Sequence, residues 1–482
     1  MSGRNIIVVK NASILLITDI VSKVLRVVLS IVIALKLGAS DLGLLAYGVA
    51  FSELFSFIPS FGLNNFVNRE VAKNPDQSGS YFGNLIFAKI IFSFVAFLIL
   101  FIVYIMKIDP GKFSIVCIAF IIMIFDSFIV FYTGFFRGFQ KSEYEALILI
   151  SENFLVASSG ILVIGLGYNL LTMMIVRLIV TFIIFCIGFL IVKRKFILHT
   201  FSLHLPTCIK MLRLSLPFAF LMIINVINAQ IGIVLLTQIK GTLFTGWYIA
   251  ALKLCAIFQF IPSSVAGAIM PAMTKYVKEK NHTGVNKTLQ RSIKYLLMLI
   301  LPISVGTTLL ADKIILLFYD ETFIQSIFTL RIIIWVIVLS FTNTIFNAAF
   351  CSINKEKKFL RFQTFALIMN IILCLLLIPV IAHNGVAIAT IASQLCTFIL
   401  AAIGISRYFK DLRIMSFVYK MIFATVIMAL FISFISSLNI FIIVFISMFV
   451  YFISLFLFRS FDSDELAILK LGVIKFFPII RN

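Results

Sequence analysis

The sequence predicts an all-α polytopic membrane protein with about fourteen transmembrane helices. Of its 482 residues, 62% are hydrophobic and only 12% are charged, and the mean hydropathy is +1.16. A soluble core cannot bury that much apolar surface. The apolar residues fall into stretches of roughly 20, each long enough to cross a hydrocarbon layer of ~30 Å as a helix. Basic residues alternate between the connecting loops, which is typical of a membrane topology.

The predicted helices follow one another with short polar connections. In chain order they cover residues 14–37, 43–64, 82–106, 113–137, 144–166, 170–192, 211–237, 246–271, 293–311, 327–350, 360–382, 385–406, 416–437 and 439–458. The first stretch is longer than a signal-peptide core, carries Asp19, Lys23 and Arg26, and lacks a small-residue cleavage site. We therefore expect it to be retained as a membrane helix.

The charge pattern orients the chain in the membrane. Although the net charge is +21, only five of the 40 lysines and arginines lie in the loops that follow odd-numbered helices. Those five are Lys36, Lys107, Lys112, Lys240 and Lys313. By the positive-inside rule, both termini are predicted to be cytoplasmic in a multi-pass protein of the cytoplasmic (inner) cell membrane. The same pattern argues against nucleic acid as a partner.

Two segments of the chain repeat each other without a gap. Residues 38–62 and 241–265 align at a constant offset of 203, which matches Gly38 with Gly241 and Pro59 with Pro262. A weaker repeat pairs Phe136–Lys141 (FRGFQK) with Phe350–Lys355 (FCSINK) at an offset of 214. Repeats in the same orientation predict two pseudo-symmetric six-helix bundles around a central cavity.

The repeat divides the chain into three predicted parts. Residues 1–204 form an N-lobe of helices one to six, residues 205–410 form a C-lobe of helices seven to twelve, and residues 411–482 hold two accessory helices and a cytoplasmic tail. Pro59 and Pro262 remove a helical hydrogen bond at equivalent positions, so each is either a gating flexure or a static kink.

Charged residues inside the first predicted helix are candidate binding groups. A charge at the centre of a membrane helix costs about 2.5 to 3.5 kcal/mol on insertion scales, so it usually faces a watery cavity or a partner. Asp19, Lys23, Arg26 and Ser30 lie on one helical face. Either Asp19 and Lys23 neutralise each other, or this face lines the cavity with Arg26 as the principal ligand.

Three further carboxylates lie within predicted N-lobe helices. Glu53 lies far from both helix ends, Asp126 lies in the middle of helix four, and Glu152 lies within helix five. Each either pairs with Arg26 or Lys23, or binds a coupling ion, for which H⁺ and Na⁺ are the candidates. Asp19, Glu53, Asp126 and Glu152 therefore form the predicted set of ion-coupling or charge-partner residues.

The remaining intramembrane cations divide between two interpretations. Lys89, Arg177 and Arg331 lie close enough to helix ends to reach the interface with their long side chains, and only Arg177 is also a candidate ligand. Lys253 lies deep in helix eight, and the C-lobe has no buried carboxylate to balance it. The predicted substrate-binding set is Lys23, Arg26, Arg177 and Lys253.

Polar residues in the C-lobe helices also have two interpretations. They are Asn225, Asn228, Gln259, Asn343, Asn347, Gln363 and Asn370. They either bind substrate or form hydrogen bonds between helices. The seven cysteines show no paired or metal-type spacing, and no nucleotide loop or nucleophile motif is present. The sequence therefore predicts no metal, no cofactor and no enzyme activity.

Three segments resemble the polysaccharide flippases of the Wzx type, within the multidrug/oligosaccharidyl-lipid/polysaccharide exporter superfamily. They are Leu37–Lys73 (LGASDLGLLAYGVAFSELFSFIPSFGLNNFVNREVAK), Arg137–Asn153 (RGFQKSEYEALILISEN) and Thr237–Lys275, which contains IPSSVAGAIMP near its end. The resemblance implies a fold like that of multidrug antiporters. It also implies a flippase that moves polyprenyl-pyrophosphate-linked oligosaccharide, such as an O-antigen repeat unit, across the membrane by alternating access.

The resemblance has consequences for partners and for coupling. It implies a polyprenyl-linked glycan lipid as substrate, membrane lipids as surroundings, and a polysaccharide polymerase or glycosyltransferases as neighbours in the pathway. Helix seven often carries an acidic residue in this family, whereas this chain has Asn228, Ala229 and Gln230. A coupling scheme that needs that carboxylate is therefore in doubt here.

Two other functions are alternatives to the flippase. A multidrug or metabolite exporter of the same superfamily would share the fold, but a cationic drug prefers unpaired carboxylates, which the C-lobe lacks. A membrane glycosyltransferase, polymerase or ligase would need positioned acid, base or metal groups. The acids of the outward loops, Asp312, Asp320 and Glu321, lie together without an accompanying motif.

Overall fold

The computed structural model describes residues 3–105, 110–197, 204–409, 415–458 and 460–461. These residues form sixteen α-helices joined by short turns. The helices are α1 (Gly3–Glu53), α2 (Phe57–Ser60), α3 (Leu63–Lys73), α4 (Ser78–Ile105), α5 (Pro110–Gly138), α6 (Ser142–Gly165), α7 (Leu170–Lys195), α8 (Leu205–Lys240), α9 (Thr242–Ala256), α10 (Phe260–Lys278), α11 (His282–Leu309), α12 (Ala311–Phe318), α13 (Ser326–Ser352), α14 (Glu356–Ser406), α15 (Met415–Phe434) and α16 (Ile440–Leu457).

The helices confirm the predicted all-α membrane fold. Among the described residues, eleven helical segments are long and apolar enough to cross a membrane by length and composition. Two long helices each extend over two of the predicted crossings and depart from helical geometry between them, and the second crossing continues from α1 through α2 into α3. In α1 this happens at Gly38, with φ 84°, and in α14 at Ile381 and Ala382. When both are divided there, the helices correspond to the fourteen predicted crossings.

The backbone repeats the duplication seen in the sequence. Gly38 and its equivalent Gly241 both have a left-handed φ, of 84° and 92°, where the chain turns between two helices. Gln140 and its equivalent Asn354 are also left-handed, with φ of 57° and 56°. After each, an amide donates back to a carbonyl over 2.8 Å, from Lys141 to Phe136 and from Lys355 to Phe350. Both turns therefore end their helices in the same way.

The proline-containing helices are interrupted at equivalent positions in the two repeats. Helical geometry stops at 54–56, between α1 and α2, and a 3₁₀ turn, Ile257–Gln259, separates α9 from α10. Pro59 and Pro262 follow these interruptions directly. Because proline lacks an N–H group, it cannot complete the hydrogen bond that would carry the helix through. The helices are thus interrupted near both prolines, and a role of Pro59 and Pro262 in gating stays a prediction.

The chain divides into two compact units. The first comprises residues 1–260, 315–329 and 360–393, and the second comprises residues 261–314, 330–359 and 394–482. The lobe boundary predicted near residue 205 stays a prediction, and most of the predicted cytoplasmic tail lies outside the described residues. The candidate site lies wholly within the first unit.

Each unit has its own packing. In the first unit, aromatic side chains of α4, α5 and α7 form the core, with Phe82 and Phe135 in edge contact at 5.6 Å. In the second unit, the accessory helices are held to their neighbours by backbone carbonyls. The Tyr451 hydroxyl of α16 donates to the Met298 carbonyl of α11 over 2.9 Å, and Lys313 donates to the Leu438 carbonyl over 3.0 Å.

Lys89 differs from its predicted position. The sequence predicted that its side chain reaches the membrane interface, but the residue is 1% exposed. Its ammonium donates to the Pro59 carbonyl over 2.7 Å and to the Ser127 hydroxyl over 3.3 Å, and lies 4.9 Å from the Phe128 ring centroid. The prediction was wrong because α4 begins at Ser78, earlier than expected, so that Lys89 lies well inside the helix.

Candidate functional site

Arg26 anchors a cluster of charged side chains within the membrane helices of the first unit. Its Nε donates to Oδ1 of Asn153 on α6 over 2.7 Å. Asn153 is itself held in place, because its Nδ2 donates to the Leu149 carbonyl one turn earlier over 2.6 Å. This partner is a neutral amide, so the hydrogen bond orients the guanidinium without cancelling its charge.

Three carboxylates from helices of the first unit also belong to the cluster. Glu53 ends α1, Asp126 lies midway along α5 and Glu152 lies in α6. Arg26 and Arg177 both attract all three carboxylates electrostatically. In the part of the chain that the structure describes, neither arginine closes an ion pair within 4.0 Å of them. The charges are therefore close enough to interact and still open to a ligand.

Asp126 and Glu152 interact with each other both by charge and by a side-chain hydrogen bond. Their side chains lie within hydrogen-bonding reach of each other. Two carboxyl groups in contact need a shared proton or a cation between them, because two bare negative charges repel. Oδ1 of Asp126 is also buried without a hydrogen-bond partner among the described residues. The pair therefore has a free acceptor and the chemistry to hold a small cation.

Lys253 brings a third cation to the cluster from the second repeat. It lies on α9, and its electrostatic neighbours are the guanidinium groups of Arg26 and Arg177. Both neighbours carry the same charge as Lys253, and no carboxylate among the described residues balances it. Three converging cations on α1, α7 and α9 repel one another, so an anion between them would be stabilised.

Asp19 and Lys23 lie on the same side of α1 as Arg26, as their spacing predicted. They attract each other electrostatically, but within the described residues they do not approach to 4.0 Å. Lys23 Nζ lies 5.9 Å from the centroid of the Phe260 ring, at the start of α10. The neutralised ion pair is therefore not formed. Lys23 stays a predicted second ligand, next to Arg26.

Arg331 and several of the polar C-lobe residues are not part of the charge cluster. Arg331 is exposed on α13 of the second unit. Asn370 donates to Asn228 over 3.4 Å, and Asn343 donates to the Gln394 side chain over 2.8 Å. These are hydrogen bonds between helices, one of the two interpretations of the polar C-lobe residues.

Sequence reasoning did not identify Asn153. It lies next to Glu152 in an apolar helix, and the only signal was that an amide in such a helix requires a partner. Pairing of Arg26 with a carboxylate was one of the two interpretations of the N-lobe acids, whereas the direct hydrogen bond of Arg26 is to this amide. Which helix faces present these groups to one another depends on tertiary packing.

The fold can be compared with known structures. The structure of the lipid II flippase MurJ in an inward closed conformation superposes with a TM-score of 0.72, 18% identity, and coverage of 92% of this chain and 98% of that one. An inward-facing multidrug resistance MATE family transporter of the MOP superfamily gives a TM-score of 0.65, 16% identity, and coverage of 81% and 96%. At these identities the comparison shows a shared fold.

Sequence relatives cover smaller parts of the chain. A probable lipid II flippase MurJ from Rhizobium tropici is 26% identical over 200 residues, covering 38% of this chain and 36% of the relative. A probable low-salt glycan biosynthesis flippase, Agl15 from Haloferax volcanii, is 23% identical over 180 residues, covering 37% of each. The aligned part thus spans little more than a third of the length of these curated relatives.

The chain is thus a multi-pass membrane protein whose fold is shared with MurJ and with a MATE transporter. A family model described as polysaccharide biosynthesis protein matches residues 8–277, more than half of the chain, and the MatE model matches residues 217–376. The chain belongs to the polysaccharide biosynthesis protein family. The resemblance expected from the sequence is confirmed at this level.

Proposed function

We propose that this protein is a flippase that moves a polyprenyl-pyrophosphate-linked oligosaccharide, such as an O-antigen or other surface polysaccharide repeat unit, across the cytoplasmic membrane. Transport proceeds by alternating access, without ATP hydrolysis by the protein itself. The polyprenyl tail stays in the lipid, while the pyrophosphate and sugars pass through the interior. The names of the relatives, which are flippases for lipid II and for a glycan, support this assignment.

The observation that carries the proposal is the environment of Lys253. An ammonium group with two guanidinium groups as its electrostatic neighbours, and no balancing carboxylate among the described residues, favours a bound anion. Arginine binds phosphate oxygens in a planar, bidentate manner, and lysine adds a point charge. Phosphate contacts strengthen where water is excluded. Arg26, Arg177 and Lys253, with Lys23 nearby, are therefore the proposed ligands of the pyrophosphate.

The carboxylates are proposed to couple transport to an ion gradient. The pair Asp126 and Glu152 can take up one proton or a small cation, and Arg26 and Arg177 attract both carboxylates electrostatically. A bound pyrophosphate would weaken the electrostatic attraction between the arginines and the carboxylates. The carboxylates would then bind their proton or Na⁺ more readily. Substrate and ion occupancy would thereby depend on each other.

Translocation by purified protein in vesicles tests the proposed function. A labelled lipid-linked oligosaccharide should move between leaflets without a change in its mass. Replacing both Arg26 and Lys253 by alanine should abolish the movement, whereas Arg331→Ala, which removes an exposed cation, should not. Growth of the glycan would indicate an enzyme. Two results together would favour a drug exporter. The unsubstituted protein would not move the glycan lipid, and the double variant would still export cationic drugs.

A further inference from the structure

His383 is a buried imidazole of the first unit that takes no part in the charge cluster. It lies on α14 directly after Ile381 and Ala382, where the backbone leaves helical geometry between two membrane crossings. Its side chain is 5% exposed. The turn follows the eleventh predicted helix, an odd-numbered one, so it is predicted to face outward.

Aromatic side chains from a second outward segment surround the imidazole. The rings of Phe244 and Trp247, at the start of α9, lie 5.9 Å and 5.5 Å from that of His383, centroid to centroid. Nε1 of Trp247 donates to the Thr322 carbonyl over 2.8 Å, and Thr322 is exposed. The imidazole is therefore enclosed by aromatic rings close to the outer surface.

Hydrogen bonds join the α14 turn to a third outward segment, which leads into α13. Nε2 of His383 lies 3.1 Å from the Gln325 carbonyl oxygen, and Thr329 Oγ1 donates to Oδ1 of Asn384 over 2.7 Å. Because a carbonyl oxygen can only accept, Nε2 carries the hydrogen and Nδ1 of the neutral ring carries the lone pair. Nδ1 is buried without a hydrogen-bond partner among the described residues. It is the atom that can take up a proton.

The imidazole is not paired with a charge. No charged group among the described residues is an electrostatic neighbour of His383. The charged residues on the segments packed against it lie toward other surfaces or in the charge cluster. They are Lys240 before α9, Lys253 on α9, Asp320 and Glu321 before α13, Arg331 on α13, and Glu356, Lys357, Lys358 and Arg361 at the far end of α14. The state of this site therefore depends on the proton that His383 itself binds.

Proton uptake at Nδ1 would destabilise these contacts. The charged ring has a second N–H group, which no acceptor in the described part of the chain satisfies. An unsatisfied buried charge is costly. Aromatic faces within about 6 Å attract a cation, so the charged form is reachable, but they do not replace a hydrogen-bond acceptor. The charged ring is stabilised by moving into water, which breaks its contact with Gln325.

The first repeat shows that such a turn does not require a histidine. At the offset of 214, His383 corresponds to Asn169, which is exposed. The Asn169 side chain caps α7 by accepting from the Thr172 amide over 3.0 Å. An amide does not titrate, so this cap is independent of pH. The second repeat has a buried titratable group at the corresponding place.

We propose that His383 is a proton-binding site that responds to the pH of the outer solution, and that its protonation releases the α14 turn from α9 and from Gln325. Imidazole changes its charge between about pH 5 and 8. The inference goes beyond the proposed function, because the site binds a proton whether or not a lipid is carried. Its consequence for transport is that acid loosens the connection between two membrane crossings and slows translocation.

Fluorescence of Trp247 tests the proton site without a substrate. The chain has two tryptophans, so Trp335→Phe leaves Trp247 as the reporter. A protonated imidazole in contact with an indole quenches its emission. Emission should therefore fall in one step with a midpoint between about pH 5 and 8. His383→Gln in the same background should remove the step, whereas His282→Gln, which alters an exposed histidine, should retain it.

A second measurement keeps His383 in place. In vesicles with a uniform orientation of the Trp335→Phe protein, the quenching step should follow the pH on the side opposite the termini. Translocation of the labelled lipid-linked oligosaccharide is then compared at about pH 7.5 and about pH 5.5, within the titration range of imidazole. Both sides of the membrane have the same pH, so no proton gradient acts. The rate should fall at the lower pH, and less so in His383→Gln.

The outcomes separate the proton site from the proposed function. The site is overturned by constant Trp247 emission across this range, by a step that persists in His383→Gln, or by a step that follows the pH on the side of the termini. An equal loss of rate in His383→Gln and the parent overturns the release of the turn. If no variant moves the glycan lipid at either pH, the proposed function fails, while a step that depends on His383 still supports the proton site.

Discussion

At the scale of single residues, the candidate site depends on which partner each charge has. Arg26 is oriented by a neutral amide, and Lys253 faces two like charges. Arg137, by contrast, is paired with the buried carboxylate of Glu145 through contacts of 2.6 to 3.1 Å. The first two arrangements leave charge available to a ligand, whereas the third satisfies it. This difference separates binding candidates from structural ion pairs.

Lys89 is expected to stabilise the fold at the interruption before Pro59. Lys89→Ala removes a fully buried side chain and the donor for the Pro59 carbonyl, at a cost comparable to a large-to-small core substitution, about 2 to 5 kcal/mol. Thermal unfolding in detergent should show a clearly lowered melting temperature. Lys193→Ala removes an exposed lysine and should leave it unchanged. Equal melting temperatures for the two variants would contradict this role.

Glu152 is expected to be needed for ion coupling. Glu152→Gln keeps the shape of the side chain but removes the charge that lets it share a proton or cation with Asp126. Vesicles with an imposed H⁺ or Na⁺ gradient should then show translocation that no longer responds to the gradient. Glu143→Gln alters an exposed carboxyl group of the same helix and is the control. An unchanged gradient response in Glu152→Gln would count against the carboxyl pair.

At the scale of helices, the duplication accounts for most of the irregular backbone. The left-handed glycines, the left-handed turn residues and the interruptions before the prolines occur in pairs with the sequence offsets of the two repeats. An irregularity kept in both copies is more simply explained by a shared role than by chance. Pro59 and Pro262 account for the pair of interruptions, because neither proline can complete a helical hydrogen bond.

The interruption before Pro262 is expected to be required for the conformational change during transport. Pro262→Ala restores the missing N–H group, so the helix can continue through Ile257–Gln259 and stiffen. Translocation should slow by about tenfold or more, if even 1.4 kcal/mol is added to the cost of opening, while substrate binding is retained. Pro302→Ala changes a proline inside the continuous helix α11 and should have little effect. Normal translocation in Pro262→Ala would contradict a hinge role for this interruption.

The sequence predicted the elements better than their contacts. The number of helices and the equivalence of Gly43 with Gly246 followed from hydropathy and internal alignment. The close approach of the two copies did not follow, although a Cβ added to Gly43 would overlap the Thr242 carbonyl and one added to Gly246 would overlap that of Ala39. An alignment shows which residues correspond but not whether the two copies touch. Lys89 was misjudged for a related reason. An error of a few residues in a helix start moves a lysine from the interface to the interior.

At the scale of the whole molecule, gene duplication followed by divergence explains the asymmetry of the charge cluster. The first repeat supplies Arg26, Arg177 and the three carboxylates, while the second supplies Lys253. The position equivalent to Lys253 in the first repeat is Ala50, a small buried residue. The direct partner of Arg26 was not predictable, because it depends on how α1 and α6 rotate against each other.

The central claim is that cations from both repeats bind a phosphorylated lipid head group. The most direct measurement is the affinity of the purified protein for a short-chain polyprenyl pyrophosphate, compared between Lys253→Met and Arg331→Met. Loss of one charge-assisted contact, worth about 1.5 to 3 kcal/mol, predicts binding weaker by about tenfold or more in Lys253→Met and unchanged in Arg331→Met. Equal affinity in both variants would contradict the account.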